Sequence, residues 1–193
     1  MDNDPYCYPG TGVLRNRFHI LDPDLLGRYE DDLSLLNLRR LADHPVPGGY
    51  DLAHLCRFHK EIFTDLYPWA GQIRTVNIAK GTWFCPVQNI QRYATDIFER
   101  LAGQDHLRGL GREKFVPALT EFYGDLNALH LFREGNGRAQ RAFVGQLARE
   151  AGYRTAWERL DSERNDQASA VSLSRGEHGP LLALLDELVE GPA

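Results

Sequence analysis

The sequence predicts an all-α domain carrying one small β-hairpin. Three observations lead there. Apolar residues recur at helical spacing through most of the chain, most cleanly at Phe115, Leu119, Phe122, Leu126 and Leu129, which step by four, three, four and three. One stretch, Ile73 to Ile78, instead alternates and is β-branched, with Lys80-Gly81 after it as a turn. The 193 residues contain no repeat, low-complexity segment or linker. A chain of that length reads as a single domain over residues 1–193, with an N-terminal arm at 1–21, a core over about 22–153 and C-terminal helices over about 154–190.

The elements follow in order. Residues 5–20 hold Pro, Gly and aromatics without helical period and read as an extended arm lying on the domain. Asp22 then Pro23 is an N-cap carboxylate before a proline at the first helical position. Leu26, Tyr29, Leu33 and Leu36 continue from it as the stripe of a helix running to about Ala42. His44 to Gly49 breaks the chain. Asp51 caps a second helix with Leu52, Leu55, Cys56, His59, Ile62 and Phe63 on its inner face. Tyr67 to Gly71 is a turn. Ile73–Ile78 and Trp83-Phe84-Cys85 are the two strands of the hairpin. Val87 to about Leu101 is helical again, and Gly103 with Gly109-Leu110-Gly111 marks a loop. In the Phe115–Leu129 helix, Pro117 belongs either to the first turn or to a bend. A helix from about Asn136 to Ala151 has Gly152 at its C-terminal end. Two shorter helices follow, at about 160–174 and 180–189.

Composition narrows the class. Hydrophobic content of 42% and charged content of 25% are those of a globular protein. A net charge of −5 argues against direct nucleic-acid binding, which wants a basic surface. Cys7, Cys56 and Cys85 lack metal or disulfide spacing and read as free thiols of a reducing compartment. The acidic N-terminus has no apolar signal region, and no apolar run spans a membrane. The expected location is the bacterial cytoplasm, with a secreted effector as the alternative.

The chemistry concentrates in His130-Leu-Phe-Arg-Glu134-Gly-Asn-Gly-Arg138-Ala-Gln-Arg141. A helix start offers unpaired N–H groups and the positive end of the helix dipole, so Gly135, Asn136 and Gly137 can cradle a diphosphate. Arg138 and Arg141, three residues apart, share a helix face, and their planar guanidiniums suit phosphate oxygens. Glu134 is the only carboxylate in the loop, and one carboxylate with phosphate oxygens and water is how Mg²⁺ is held in nucleotide sites. His130 titrates near neutrality and can take a proton from a hydroxyl. Together these read as a phosphoryl-type transfer site. Gly-Lys-(Ser/Thr) is absent, so this is no Walker loop, and there is no His-Glu-x-x-His zinc pattern. The plainer alternative is a glycine-rich interhelical loop with solvated charges. His54 and His59, five apart, read as core or surface histidines rather than as a ligand pair.

The stretch resembles the signature His-x-Phe-x-(Asp/Glu)-Gly-Asn-Gly-Arg-x-x-Arg of the Fic domain. Trp69-Ala70-Gly71-x-x-Arg74 before the hairpin is similar to that family's flap region, and Tyr8-x-Gly10-Thr11 with Leu14-x-Asn16 resembles the start of its bacterial toxin and effector branch. The resemblance implies a helical bundle with a hairpin flap and a protein adenylyltransferase that moves AMP from ATP to a Ser, Thr or Tyr hydroxyl, releasing pyrophosphate. It implies His130 as base and Glu134 as Mg²⁺ ligand. Gly135, Asn136, Gly137 and Arg138 would form the anion hole, and Arg141 would orient the γ-phosphate. Ile78, Lys80, Gly81, Trp83 and Phe84 would belong to a flap that docks the target main chain to main chain. Leu131 stands where the family usually has Pro, so the loop is expected to be slightly less rigid.

Many relatives carry an inhibitory helix with (Ser/Thr)-x-x-x-Glu-(Gly/Asn). Here Thr95 precedes Glu99 but Arg100 follows, and Glu190-Gly191 is preceded by Asp186. The expectation is inhibition in trans by a small antitoxin, with the chain as the toxin of the pair. The resemblance suggests a type II topoisomerase as target. The alternatives are transfer of another group (UMP, phosphate or phosphocholine) or removal of AMP. A non-enzymatic module would be expected to have lost His130 or Glu134, and both are present.

Overall fold

A computed structural model describes residues 4–191. The ends of the expected domain span, 1–3 and 192–193, lie outside the described residues. Among the described residues seven α-helices follow one another: α1 (Pro23–Asp43), α2 (Leu52–Phe63), α3 (Ile90–Gly103), α4 (Arg112–Leu129), α5 (Asn136–Glu150), α6 (Ser162–Arg175) and α7 (Gly179–Leu188). The hairpin is β1 (Ala79–Lys80) against β2 (Thr82–Trp83), antiparallel. A second two-stranded pair joins β3 (Arg154–Thr155) to β4 (Val189–Glu190) and fastens the chain end beside α5.

The starts of α1 and α2 obey their capping residues. Asp22 accepts the Leu25 N–H at 2.9 Å, with Pro23 next, and Asp51 accepts the His54 N–H at 2.7 Å. Helix α2 packs between α1 and α5, while α4 touches α3, α5, α6 and α7. The core therefore centres on α4 and α5. Phe143 on α5 is fully buried and meets Tyr50, Phe58 and Phe98 edge-on at 5.4, 5.5 and 6.0 Å between ring centroids. Pro117 is the sixth residue of α4, beyond the first turn, so the helix starts before it.

Two sequence expectations change. The α1 stripe is not Leu26, Tyr29, Leu33 and Leu36. The buried residues are Leu26, Ser34, Asn37 and Leu41, while Tyr29 and Leu36 are exposed. Polar residues go inward because they have partners there: Asn37 donates to the Ile62 carbonyl at 3.0 Å and Ser34 accepts from Arg138 at 3.1 Å. Ile73–Ile78 is not a strand either, and the hairpin is shorter and later, with Gly81 at φ +73° in its turn. What holds Ile73–Ile78 is a buried side chain.

That side chain is Arg74, 1% exposed. Its backbone N–H donates to the Leu131 carbonyl at 2.9 Å. Its guanidinium donates to the carbonyls of His130 (2.8 Å), Val76 (2.7 Å), Cys85 (2.5 Å) and Leu129 (3.5 Å). Leu129 and His130 end α4, where carbonyls have no intrahelical partner and the helix dipole is negative. The cation satisfies both needs and straps the hairpin base to the loop after α4. Leu131, 1% exposed and held through its carbonyl, is pinned without proline's help. Removing the guanidinium orphans buried carbonyls, so Arg74→Ala is expected to cost about 3 kcal/mol or more of unfolding free energy, checked by urea denaturation.

Candidate active site

The loop between α4 and α5 is set by two left-handed residues. His130 caps α4 at φ 44°, ψ 65°, and Gly135 precedes α5 at φ 78°. Between them, Asn136 closes a ring on the backbone: its Oδ1 accepts the Phe132 N–H at 2.8 Å and its Nδ2 donates to the Phe132 carbonyl at 2.7 Å. One donor and one acceptor of the Asn136 side chain are thus committed to loop geometry. Phe132 is fully buried and stacks on His59 at 3.9 Å between centroids. His59 accepts the Gly71 N–H on Nδ1 at 2.8 Å, so Nε2 carries the proton it donates to the Glu134 carbonyl at 2.9 Å. His59 is a core histidine, as expected, but it grips the loop from behind. His54 is buried as well, between the Tyr50 N–H and the Val46 carbonyl.

In front of the loop is a cavity of about 440 Å³. His130, Glu134, Asn136, Gly137 and Arg141 line it, as do Lys80 and Phe84 of the hairpin region. Gly135, Arg138, Ile78, Gly81 and Trp83 do not. The guanidinium of Arg138 instead lies among Glu30, Ser34 and the Phe63 ring, against α1. Trp83, 69% exposed, points away to solvent.

Each liner has a local cause. Phe84 stacks on the His130 ring at 3.6 Å and 13°, fixing its plane. His130 Nδ1 meets the Asn127 carbonyl at 3.2 Å, which puts the proton there and leaves Nε2 with a lone pair. Burial drives the imidazole down to about 4, with the Asn127 carbonyl opposing and the Arg74 and Lys80 charges adding to the fall. At neutral pH the ring is an uncharged acceptor. Helix α5 has no side-chain cap, and its first N–H groups, at Asn136 and Gly137, belong to cavity-lining residues. Arg141 makes no ion pair among the described residues. Its Nη1 lies 3.0 Å from where a Cβ on Gly137 would sit, so a side chain there would push the guanidinium out of its present place. An anion drawn to the helix start and to Arg141 would supply both the cap and the counter-charge.

The far wall was not foreseen from sequence. Tyr123, Asn127, Gln140 and, on α6, Asn165, Asp166 and Ser169 complete the cavity. The signal was available: Asn165, Ser169 and Ser172 recur at helical spacing, and all three are buried. Lys80 pairs with Asp166 at 2.7 Å, bridging hairpin and α6 across the opening. Arg133 also lines the cavity and pairs with Asp4 of the arm at 2.8 Å. Glu190, of the Glu190-Gly191 pair, faces elsewhere and pairs with Arg154 and Arg159, and Asp186 before it pairs with Arg112. No group of three or more His, Cys, Asp or Glu side chains forms a metal cage among the described residues. Of the two cavity carboxylates, Asp166 is paired with Lys80, and Glu134, half-exposed, sits on the loop itself. That suits a cation whose remaining ligands come from a substrate's phosphates and water, which is the Mg²⁺ pattern. No described helix is long and apolar enough to cross a membrane, and the three cysteines are free.

Burial holds His59 as well as His130 at about 4. In the unfolded chain both titrate near 6.5. Between those values the unfolded state binds more protons, so stability is full above about pH 6.5 and falls as pH drops towards 4. Urea midpoints at pH 7 and pH 5 should differ in that direction, and His59→Asn should reduce the difference.

The Fic/DOC family profile matches residues 49–148, which span α2 to α5 and the whole loop. The chain is 42% identical over 171 residues to protein adenylyltransferase VbhT of Bartonella schoenbuchensis, covering 88% of this chain and 36% of that protein. It is 40% identical to probable protein adenylyltransferase y4lH of Sinorhizobium fredii over 96% of each. Its fold superposes with TM-score 0.92 and 26% identity on the N-terminal Fic domain of a putative cell filamentation protein of Bartonella quintana with bound ADP, covering 97% of this chain and 95% of that one. The helical bundle, its hairpin and the loop from His130 to Arg141 are therefore those of a member of the Fic/DOC family, to which this chain belongs.

Proposed function

We infer that the chain is a protein adenylyltransferase that transfers AMP from ATP to a hydroxyl of a target protein. One observation carries the reading. A neutral imidazole with a free Nε2 shares a cavity with an uncapped helix start and an arginine that has no carboxylate partner among the described residues. The diphosphate takes the N–H groups of Asn136 and Gly137, and Arg141 takes the outer phosphate. The nucleoside faces the α6 wall at Asn165 and Ser169. His130 Nε2 accepts the proton of the target hydroxyl, the oxygen bonds to the α-phosphorus, and the bond to the bridging oxygen breaks to free pyrophosphate. Glu134 is the residue that would hold Mg²⁺, which would supply charge neutralisation.

Regulation in trans fits the same geometry. Arg141 lacks an internal carboxylate among the described residues, so an antitoxin helix bringing a Glu would pair with it and displace the outer phosphate. The compartment that fits three free thiols is the bacterial cytoplasm. A type II topoisomerase is the first target to assay.

The chain is incubated with α-labelled or γ-labelled ATP, Mg²⁺ and cell lysate. Label on protein from the α position alone is expected, and His130→Ala should remove it without unfolding the chain. Label from the γ position would mean phosphoryl transfer and overturn the reading. Because His130 is neutral down to about pH 4, incorporation should hold level from pH 8 through pH 6.5.

A further inference from the structure

Arg138 stands between two carboxylates. Its Nη2 bonds to Glu30 on α1, and the same nitrogen lies 3.7 Å from Glu134 Oε1. Its Nη1 donates to Ser34 Oγ at 3.1 Å and lies 3.7 Å from Asp31 Oδ1, and its carbon lies 4.9 Å from the Phe63 ring centroid. The two carboxylates differ in setting. The Glu30 side chain is 14% exposed and also accepts the Tyr67 hydroxyl, whereas that of Glu134 is 44% exposed at the cavity. Charges attract more strongly where water is scarcer, so the guanidinium stays with Glu30.

That choice leaves Glu134 with one close partner, the Gly135 N–H on Oε1 at 2.8 Å, and its other oxygen open to the cavity. A guanidinium released from Glu30 needs only a small swing to form a close pair with Glu134, occupying the oxygens a cation would use. We propose that Glu30 is a positioning residue that holds Arg138 away from Glu134 and so keeps that carboxylate available to a divalent cation. The inference rests on the reading of Glu134 as cation ligand. It gives Arg138, Ser34 and Tyr67 a shared task on the side of the loop away from the cavity. It also explains why Ser34 of α1 faces inward.

The readout is ATP binding by calorimetry over a series of Mg²⁺ concentrations, with no turnover involved. Glu134→Gln is measured first and should abolish the Mg²⁺ dependence of binding. Glu30→Gln should raise the Mg²⁺ concentration at half-saturation about three- to fivefold, the factor by which a half-exposed ion pair competes. Arg138→Gln should not raise it, and Glu30→Gln with Arg138→Gln should return it to the starting value, because the competitor is gone. A merely structural role for Glu30 predicts instead that the double variant is as bad as the single or worse. Glu30→Asp, which keeps the charge but shortens its reach, should give a smaller shift of the same sign and serves if Glu30→Gln does not fold. If Glu134→Gln loses its Mg²⁺ dependence while neither Glu30 variant shifts, or the double variant keeps the shift, the clamp is refuted and the Glu134 reading stands. If Glu134→Gln leaves the dependence intact, the Glu134 reading falls and the clamp with it.

Discussion

The Arg74 guanidinium is the contact on which the active-site side of this domain depends. A buried cation with no carboxylate beside it is costly unless its donors are met, and here they are met by main-chain carbonyls. Two of those carbonyls end α4 and the others belong to the hairpin base. One side chain thereby ends a helix, stands in for the ladder that Ile73–Ile78 lacks, and sets the distance between hairpin and loop. Phe84 can lie flat on His130 because Cys85, next to it, is held at both ends: its N–H by Ala128 and its carbonyl by Arg74.

The rest of the loop is fixed by contacts made within the loop or behind it. His59 holds the Glu134 carbonyl, Asn136 ties itself to Phe132, and Glu30 with Ser34 holds Arg138. The cavity face of the loop is left with what these restraints expose: a lone pair on His130, the N–H groups at the start of α5, the Glu134 carboxylate and the Arg141 guanidinium. Preorganisation of this sort lets a site neutralise phosphate charge without rearranging as the reaction proceeds.

The loop was legible in the sequence because its chemistry is local. His130 to Arg141 needs only chain neighbours and the flanking helical periods to be read as an anion pocket. The caps at Asp22 and Asp51 were legible for the same reason. What escaped were pairings between distant positions: Arg74 with His130, Glu30 with Arg138, Lys80 with Asp166 and His59 with Glu134. Alternation at Ile73–Ile78 suggested a strand because nothing nearby announces that the polar member of the pattern is buried. On α1, leucines suggested the inner face, whereas hydrogen-bonding partners on α2 and α5 draw Ser34 and Asn37 inward. Charge on its own said little, since −5 overall is compatible with a cavity that carries Arg133, Arg141 and Lys80.

Gly135 is fixed twice over. Its φ of +78° favours glycine, and a Cβ there would sit 2.3 Å from the Phe63 ring. The same ring lies beneath Arg138. Positions 63 and 135 are thus sterically tied to each other. A lineage can keep an aromatic at 63 only while 135 has no side chain. A lineage that shrinks 63 to relieve the contact loses the platform under the guanidinium. The glycine of the signature thus answers to a phenylalanine more than seventy residues upstream as well as to its own backbone angle.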